Sequence, residues 1–395
     1  MYSAPVYSGY SPYWQAPAPG SRIVVGMSGG VDSSVTAAIL KEQGYEVVGL
    51  FMKNWEETGS DGRCTSARDF DDVRAVCDQL DIPYYSVNFV QEYWDQVFSH
   101  FLLEYQAGHT PNPDILCNRE IKFKAMLQKA LSMGATHLAT GHYCRNEWQD
   151  GRPRLTKGLD AGKDQSYFLY TMQEAILPQV LFPIGGLHKS EVRAIAARYN
   201  LATQAKKDST GICFIGERDF RPFLSKYLKA TAGEFRLLDG TVVGQHGGAA
   251  LYTIGQRKGL NLGGQGEPWF VLGKDVERGF VYVERGTSHP ALYCDELTAT
   301  EASWVAPFAP DTPYRLRAKV RYRQSDQDCV LNRIEEGRLH VIFDQPQRAV
   351  TPRQSIVFYD GDRCVGGAMI ERAGPSYHAR GLPLPAQVRS QSALA

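Results

Sequence analysis

No C-x-x-C pair occurs in the sequence, although it holds eight cysteines, at positions 64, 77, 117, 144, 213, 294, 329 and 364. That spacing argues against a zinc ribbon, a thioredoxin-type motif and an iron–sulfur ligand set, so no bound metal is expected. Eight thiols in 395 residues are also too sparse for a disulfide scaffold, which points to a reducing, cytoplasmic setting with most thiols buried and inert. No apolar run approaches the roughly 20 residues that a membrane-spanning helix needs. Net charge is lacking too. The 43 basic and 43 acidic side chains balance, so nucleic-acid binding would have to come from a local basic face. No charged side chain and no hydrophobic segment precede Arg22, so the first 20 residues read as neither a secretory signal nor a transit peptide. Their Pro/Tyr/Ser/Gly composition predicts a disordered arm over 1–20, and the Pro/Ala/Ser/Gln-rich stretch 373–395 reads as a disordered tail.

Between these tails, 43% hydrophobic residues suffice for real cores, and the length suits two or three domains. Strand-like runs at 22–27, 45–52, 83–90 and 136–140 alternate with helical periodicity at 34–43, 66–80, 91–106 and 121–133. Alternation of this kind predicts a doubly wound parallel α/β sheet over 21–225, with its ligand at the carboxyl ends of the strands. After about residue 230 helical periodicity fades and short alternating runs take over, at 251–254, 269–272, 280–283 and 316–322. Two small β-rich modules are expected, 226–290 and 291–372, with a break near His289-Pro290.

The most specific motif is Gly26-Met27-Ser28-Gly29-Gly30-Val31-Asp32-Ser33-Ser34, between the first strand and the first helix. Glycines let a backbone approach a phosphate, and the helix N-terminus adds N–H donors and partial positive charge. The Gly-Lys-Ser/Thr ending of a Walker A loop is missing, and so is G-x-G-x-x-G. The motif resembles instead the PP-loop signature Ser-Gly-Gly-x-Asp-Ser, whose enzymes split ATP into AMP and pyrophosphate and use adenylation to activate a carbonyl oxygen. Two cysteines stand in distinctive surroundings. Cys117, in Asn112-Pro113-Asp114-Ile115-Leu116-Cys117-Asn118, falls where a helix is expected to begin, a position that favours thiolate. Asp114 lies three residues earlier, within reach for proton transfer. A lone cysteine is ordinarily a small buried hydrophobe, but the Pro-bracketed loop and polar flanks argue for exposure here. Cys213 follows Lys206-Lys207 and a Ser-Thr-Gly turn, which could also favour thiolate; alone, it reads equally as a core residue. Arg315, Arg317, Lys319, Arg321 and Arg323 alternate with apolar residues. In a strand all five would share one face and suit a phosphate backbone, or simply make a solvated face. Thr140-Gly141-His142-Tyr143 should end a strand at the ligand edge, and Lys163-Asp164-Gln165-Ser166 should cap a helix.

Together these motifs, with Gly49–Trp55, Lys163–Leu169 and Ser209–Glu217, closely resemble the tRNA-specific 2-thiouridylases from Arg22 to about Ile370. The resemblance implies a PP-loop (adenine nucleotide alpha hydrolase-like) domain, a small central β-rich domain and a C-terminal β-barrel that binds tRNA. It implies ATP, with Mg²⁺ as counter-ion, adenylating O2 of the wobble uridine. Cys213 would carry a persulfide, Cys117 would act as nucleophile and Asp114 as acid/base; the two cysteines can end as a disulfide. Gly26–Ser33, Met52 and Gly141 match the family's ATP contacts. Asn112, Pro113 and Asp114 match the segment at the target base. His142, Lys163, Asp164, Gln165, Arg321, Tyr322 and Gln354 match its tRNA contacts. The implied partners are tRNA and a persulfide donor, a desulfurase or sulfur-relay protein, with the enzyme a monomer off the membrane. Arg353 stands where the family is expected to have glycine, and Cys144 where a small residue is expected. Rival readings are another PP-loop synthetase or tRNA thiolase, a non-catalytic RNA-binding or sulfur-carrier protein on the same fold, and a redox sensor using Cys117 and Cys213. Release of AMP and pyrophosphate separates the enzymes from the binder.

Overall fold

Residues Ile23, Val24 and Val25 are wholly buried at the centre of a parallel sheet. In the computed structural model, which describes residues 16–56, 65–208, 220–228, 231–308, 312–333, 337–386 and 388, the first strands are β1 (Arg22–Met27), β2 (Glu46–Lys53), β3 (Tyr84–Asn88) and β4 (His137–Ala139). A hairpin follows, β5 (Cys144–Gln149) and β6 (Arg152–Lys157), before β7 (Val180–Leu181) returns to the sheet. The sheet order is β3-β2-β1-β4-β7, all parallel. Alternate residues enter two cores, because the strand period is two. Val24, Val48 and Leu50 join the aromatic-rich core with the helices over 90–106 and 113–132. Ile23, Val25, Val47 and Phe51 join the other, with helices Val31–Glu42, Thr65–Leu80 and Lys189–Arg198. No helix among the described residues is long and apolar enough to cross a membrane.

The expected helix over 121–133 in fact starts at Pro113. Asn112 caps it, its Oδ1 accepting from the Asp114 N–H at 3.1 Å. Proline at the first helical position lacks only an N–H that would have no partner there, so Pro113 starts the helix rather than breaking it. From Cys117 to Met126 the helix is wound in π form, a distortion common at functional sites.

The central domain has β8 (Gly233–Arg236), β9 (Val242–His246), β10 (Trp269–Asp275) and β11 (Phe280–Arg285), in the order β10-β11-β8-β9. The strand expected at 251–254 is absent: a 3-10 turn, Ala249–Leu251, leads into Tyr252, which packs 5.2 Å from Phe235. Its apolar pattern serves the core, not a ladder. The last six strands are β12 (Tyr293–Trp304), β13 (Tyr314–Lys319), β14 (Gln327–Arg333), β15 (Leu339–Arg348), β16 (Ser355–Asp360) and β17 (Arg363–Ala373). They run β12-β15-β14-β13-β16-β17, and β17 pairs back onto β12, closing a barrel. Closure removes the exposed edges that an open sheet would carry.

Two expectations need correction here. The cationic strip does not share one strand face, because β13 stops at Lys319. Lys319 is buried, 3.3 Å from Asp164 and 3.8 Å from Asp326. Arg321, beyond the strand, donates through one nitrogen to the Ile254 carbonyl at 2.7 Å and the Ala349 carbonyl at 3.0 Å, bridging central domain and barrel. Desolvation and carbonyl acceptors have claimed these cations. The stretch after 372 does not leave the fold as a tail: Leu384 is buried with Phe270, Leu292 and Tyr293, and Tyr377 and Arg380 bond Asp295. Residues 1–15 and 391–395 lie outside the described residues.

The hairpin β5–β6 emerges from the α/β domain and joins β17 of the barrel, Thr156 opposite Arg363. The segment after it docks by polar bonds: the Tyr167 hydroxyl donates to the Ser355 carbonyl at 2.8 Å, and Lys157 pairs with Asp326 at 2.6 Å. Asp164 is the buried centre, its Oδ1 accepting from the N–H groups of Gly158 and Ser166 and its Oδ2 facing Lys319. Asp164→Ala strands a buried ammonium, and breaking such a pair costs about 3–5 kcal/mol. Urea unfolding followed by barrel tryptophan fluorescence should register that loss; a loss below about 1 kcal/mol would mean that Asp326 alone holds Lys319.

Candidate functional site

The PP-loop tightens on its own hydroxyls. Ser33 Oγ donates to the Gly30 carbonyl at 3.0 Å and accepts from the Ser28 N–H at 3.2 Å, and Ser34 Oγ donates to the same carbonyl at 2.9 Å. Gly30 is the N-cap of helix Val31–Glu42, and no side chain caps that end. Helix N-termini carry N–H groups without intrahelical partners and a positive dipole end, so this one suits a phosphate. Gly29 has φ +73°, and a Cβ there would stand 2.6 Å from the Asp69 carbonyl oxygen. Gly141, after β4, would place a Cβ 2.8 Å from the Ser33 nitrogen. Both glycines are therefore required by close backbone approach.

The loop has no lysine of its own, and the fold brings one. Lys189, first residue of helix Lys189–Arg198, lies 2.6 Å from Asp32 and 2.8 Å from Asp208. Asp208 also pairs with Lys163 at 2.6 Å and Arg193 at 2.7 Å. Burial opposes ionisation of Asp208, but hydrogen bonds from Lys163 and Lys189 prevail and hold its carboxyl well below the usual range. Asp32 further accepts from the Tyr143 hydroxyl at 2.8 Å, and burial, then that carboxylate, pushes the phenol far up. The sequence analysis missed Lys189 and Arg193. Their only signal is basic spacing at i, i+4 on a helix 157 residues away from the loop.

Asp114 and Cys117 stand three apart in the helix over 113–132, which places them on one face. Cys117 is not at the helix start but in its second turn, and it is 0% exposed. The expectation of exposure fails because Ile115, Ile121 and Trp55 close over it in one core. Cys213 and Cys64 lie outside the described residues, as does the segment 209–219. Lys206, expected to favour thiolate at Cys213, is ion-paired with Asp69 at 2.9 Å and Asp72 at 2.6 Å. Five other thiols are buried in cores. Burial pushes Cys77, Cys329 and Cys364 up to about 12 and Cys294 up to about 11. Burial likewise raises the fully buried Cys144 thiol well above its ordinary range.

Among the residues matched to tRNA contacts, most are internally bonded. Gln165 Oε1 accepts from the Tyr143 N–H at 2.9 Å. Tyr322 packs 4.5 Å from Phe168 rather than on the barrel core. Gln354 donates to the Thr110 carbonyl, joining the barrel to the loop that precedes Asn112. Arg353 adopts φ +67°, the left-handed geometry that explains an expected glycine, and its guanidinium lies 3.1 Å from Glu104 and 3.4 Å from Glu301. Met52, next to last in β2, is buried. Thus the PP-loop, Met52, Gly141 and the Asn112–Cys117 turn all lie at the carboxyl edge of the sheet, while Arg321 and Tyr322 belong to the barrel junction.

Residues 21–217 match the family described as tRNA methyl transferase HUP domain, 221–285 the tRNA methyl transferase PRC-barrel domain, and 294–370 the aminomethyltransferase beta-barrel domain. The tRNA-specific 2-thiouridylase MnmA of Protochlamydia amoebophila is 63% identical over 366 residues, covering 92% of this chain and 97% of the relative. The enzyme of the same name from Shouchella clausii is 55% identical, covering 89% and 97%. That of Pseudomonas aeruginosa is 57% identical, covering 89% and 95%.

His142 is 9% exposed; its Nδ1 bonds Thr140 Oγ1 at 2.8 Å and its Nε2 lies 3.5 Å from Lys122. Burial first, and Lys122 second, lower its pKa well below 6.5, so the ring is neutral in the fold. The folded state then binds fewer protons than the unfolded state. Stability from the neutral ring is present above the unfolded value and lost as pH falls through it, by up to about 1.4 kcal/mol per pH unit. Urea midpoints at pH 7.5 and 5.5 should therefore fall more in the wild type than in His142→Gln. Equal falls would mean that His142 is protonated within the fold.

Proposed function

The chain belongs to the tRNA-specific 2-thiouridylases, and on that premise we propose that it thiolates position 2 of the wobble uridine in tRNAs of the Lys, Glu and Gln type, using ATP. The observation that carries the reading is the lysine brought to the PP-loop: Lys189 lies 2.6 Å from Asp32 in a loop that has no phosphate-binding lysine of its own. Uracil O2 is a poor leaving group. Transfer of AMP to O2, with loss of pyrophosphate, makes it a good one. The PP-loop backbone and the N-terminus of helix Val31–Glu42 suit the phosphates, with Lys189 as the cation that meets the charge developing on pyrophosphate. Gly141 lets the end of the strand pack closely on the Asp32–Ser33 backbone of that loop, and Mg²⁺ accompanies the triphosphate as counter-ion.

Sulfur then arrives as a persulfide on Cys213. Its terminal sulfur attacks C2, and AMP departs with the O2 electrons, leaving Cys213 joined to C2 through a disulfide. The Cys117 thiolate attacks Cys213 Sγ, the S–S bond to the base breaks, and the electron pair stays on the sulfur now bonded to C2. A Cys117–Cys213 disulfide remains, which an external thiol reduces before a persulfide donor reloads Cys213. Asp114, on the Cys117 face of the helix, handles the thiol proton. An anticodon base is single-stranded and can be splayed into such a crevice at modest cost. Asp164, Arg321, Tyr322 and Gln354 hold the junctions between the barrel and its neighbours, with His142, Lys163 and Gln165 on the PP-loop domain side, and the RNA lies across both. The domain description speaks of methyl transfer, whereas near-full-length relatives are thiouridylases; the PP-loop and the cysteine motifs side with thiolation.

Incubation with ATP, Mg²⁺, a persulfide source and unmodified tRNA should yield 2-thiouridine at the wobble position, read by nucleoside mass spectrometry. Release of AMP and pyrophosphate without thiolation would mean a different acceptor, and neither product would leave a binding protein. Two variants separate the steps. Cys213→Ser should abolish thiolation yet release AMP and pyrophosphate, whereas Lys189→Ala should slow that release about 100-fold or more. Unchanged thiolation in Cys213→Ser would remove the persulfide from that residue.

A further inference from the structure

Asn54 directly follows β2, at the carboxyl edge of the parallel sheet and beside the PP-loop strand. It is 1% exposed, and neither its amide nitrogen nor its carbonyl oxygen has a hydrogen-bond partner. A buried carboxamide with all its polar atoms unpaired is costly, and native folds rarely keep one without a use. Its surroundings locate that use. Met52 and Trp55, on either side in the chain, both pack in the core that holds Ile115, Cys117 and Ile121. Asn54 therefore lies on the side of the sheet that packs against the Cys117 helix, not on the opposite face packed by helix Val31–Glu42. A second unpaired acceptor stands on the Cys117 helix. Asn118, next to Cys117, spends its amide nitrogen on the Phe168 carbonyl at 3.1 Å and leaves Oδ1 without a partner.

We propose that Asn54 reads the Watson–Crick edge of the target uracil. A carboxamide presents one acceptor beside one donor. Uracil presents N3–H beside O4. Oδ1 of Asn54 accepts from N3–H and Nδ2 donates to O4, which leaves O2 on the far side of N3 open to activation. Because Asn54 is already desolvated, pairing costs no further loss of water from the protein side, and a base that cannot complete the pair leaves the amide buried and unsatisfied. That asymmetry makes such a site selective. Its depth means that the base enters as the residues over the carboxyl edge part, so recognition is coupled to opening of the crevice.

The assignment rests on the thiolation reading, and the experiment keeps the two apart. Sulfur-for-oxygen exchange by the wild-type protein tests that reading; the ratio of variant to wild type tests Asn54. Asn54→Ala and Asn54→Asp are compared with wild type for kcat/KM toward tRNA at saturating ATP, for ATP Kd and for thermal midpoint. The aspartate keeps the size and loses the donor. Both variants should lose about 10- to 100-fold in kcat/KM, as expected for one bidentate base contact. ATP Kd should stay within about twofold, and the thermal midpoint of Asn54→Ala should not fall, because no bond of the unliganded fold is removed. Unchanged kcat/KM in both variants overturns the proposal, as it would if a trapped water satisfied the amide. A weakened ATP Kd with kcat/KM restored at saturating ATP overturns it in favour of adenine. A lowered thermal midpoint with parallel loss of both substrates overturns it in favour of a structural role.

Discussion

The ion cluster around Asp208 is the constraint on which the site depends. Lys163, Lys189 and Arg193 converge on one carboxylate, and Lys189 reaches on to Asp32 in the PP-loop. Asp208 is the last described residue before the segment that holds Cys213. One cluster thus joins the nucleotide loop, the helix Lys189–Arg198 and the stem of the second cysteine motif. Lys206, two residues earlier, adds a second tie to Asp69, whose carbonyl presses on Gly29. Charge pairs between distant segments hold such elements in register more directionally than apolar packing does.

The barrel is held to the same frame by a different device. Hairpin β5–β6 leaves the α/β domain and becomes part of the barrel sheet, so the two domains share a ladder as well as a surface. Buried polar groups then set the register. Asp164 faces Lys319, Tyr167 bonds Ser355, and Gln354 reaches the carbonyl of Thr110. That last bond lies two residues before the cap of the Cys117 helix. The barrel and the turn that starts the Cys117 helix are therefore positioned together, and basic residues that look like an RNA strip in one dimension are used as braces. The electrostatics of the junction are local, as a chain with no net charge requires.

Every described cysteine is buried, so surroundings rather than exposure distinguish them. Cys77, Cys294, Cys329 and Cys364 sit in cores whose low polarity keeps them protonated. Cys117 is equally buried but stands in a helix with Asp114 on the same face, in a π-wound stretch at the sheet's carboxyl edge. Burial of this kind protects a thiol from oxidants, which attack exposed thiolates.

Local patterns were enough for the parallel sheet and for placing the PP-loop between its first strand and helix. Apolar runs alternating with 3.6-residue periodicity give strands and helices whose cores lie nearby in the chain, whereas the exposure expected of Cys117 failed against neighbours distant in sequence, and Gly29 and Gly141 answer to backbone that approaches from elsewhere in the chain. The family resemblance flagged Arg353 as a position where glycine is expected, and the structure shows why, with φ +67° there. Only the tertiary structure decided what the charges do. Whether Lys319 and Arg321 face solvent or carbonyls depends on where β13 ends and on Asp164, 155 residues earlier. Lys189 serves the PP-loop only because helix Lys189–Arg198 packs beside helix Val31–Glu42 in the same core. The start of the Cys117 helix turned on Pro113 being a first-turn residue rather than a breaker, which the bond from Asp114 to Asn112 settles. Backbone preference is written locally, but desolvation and ion pairing are set by neighbours that no short stretch of sequence contains.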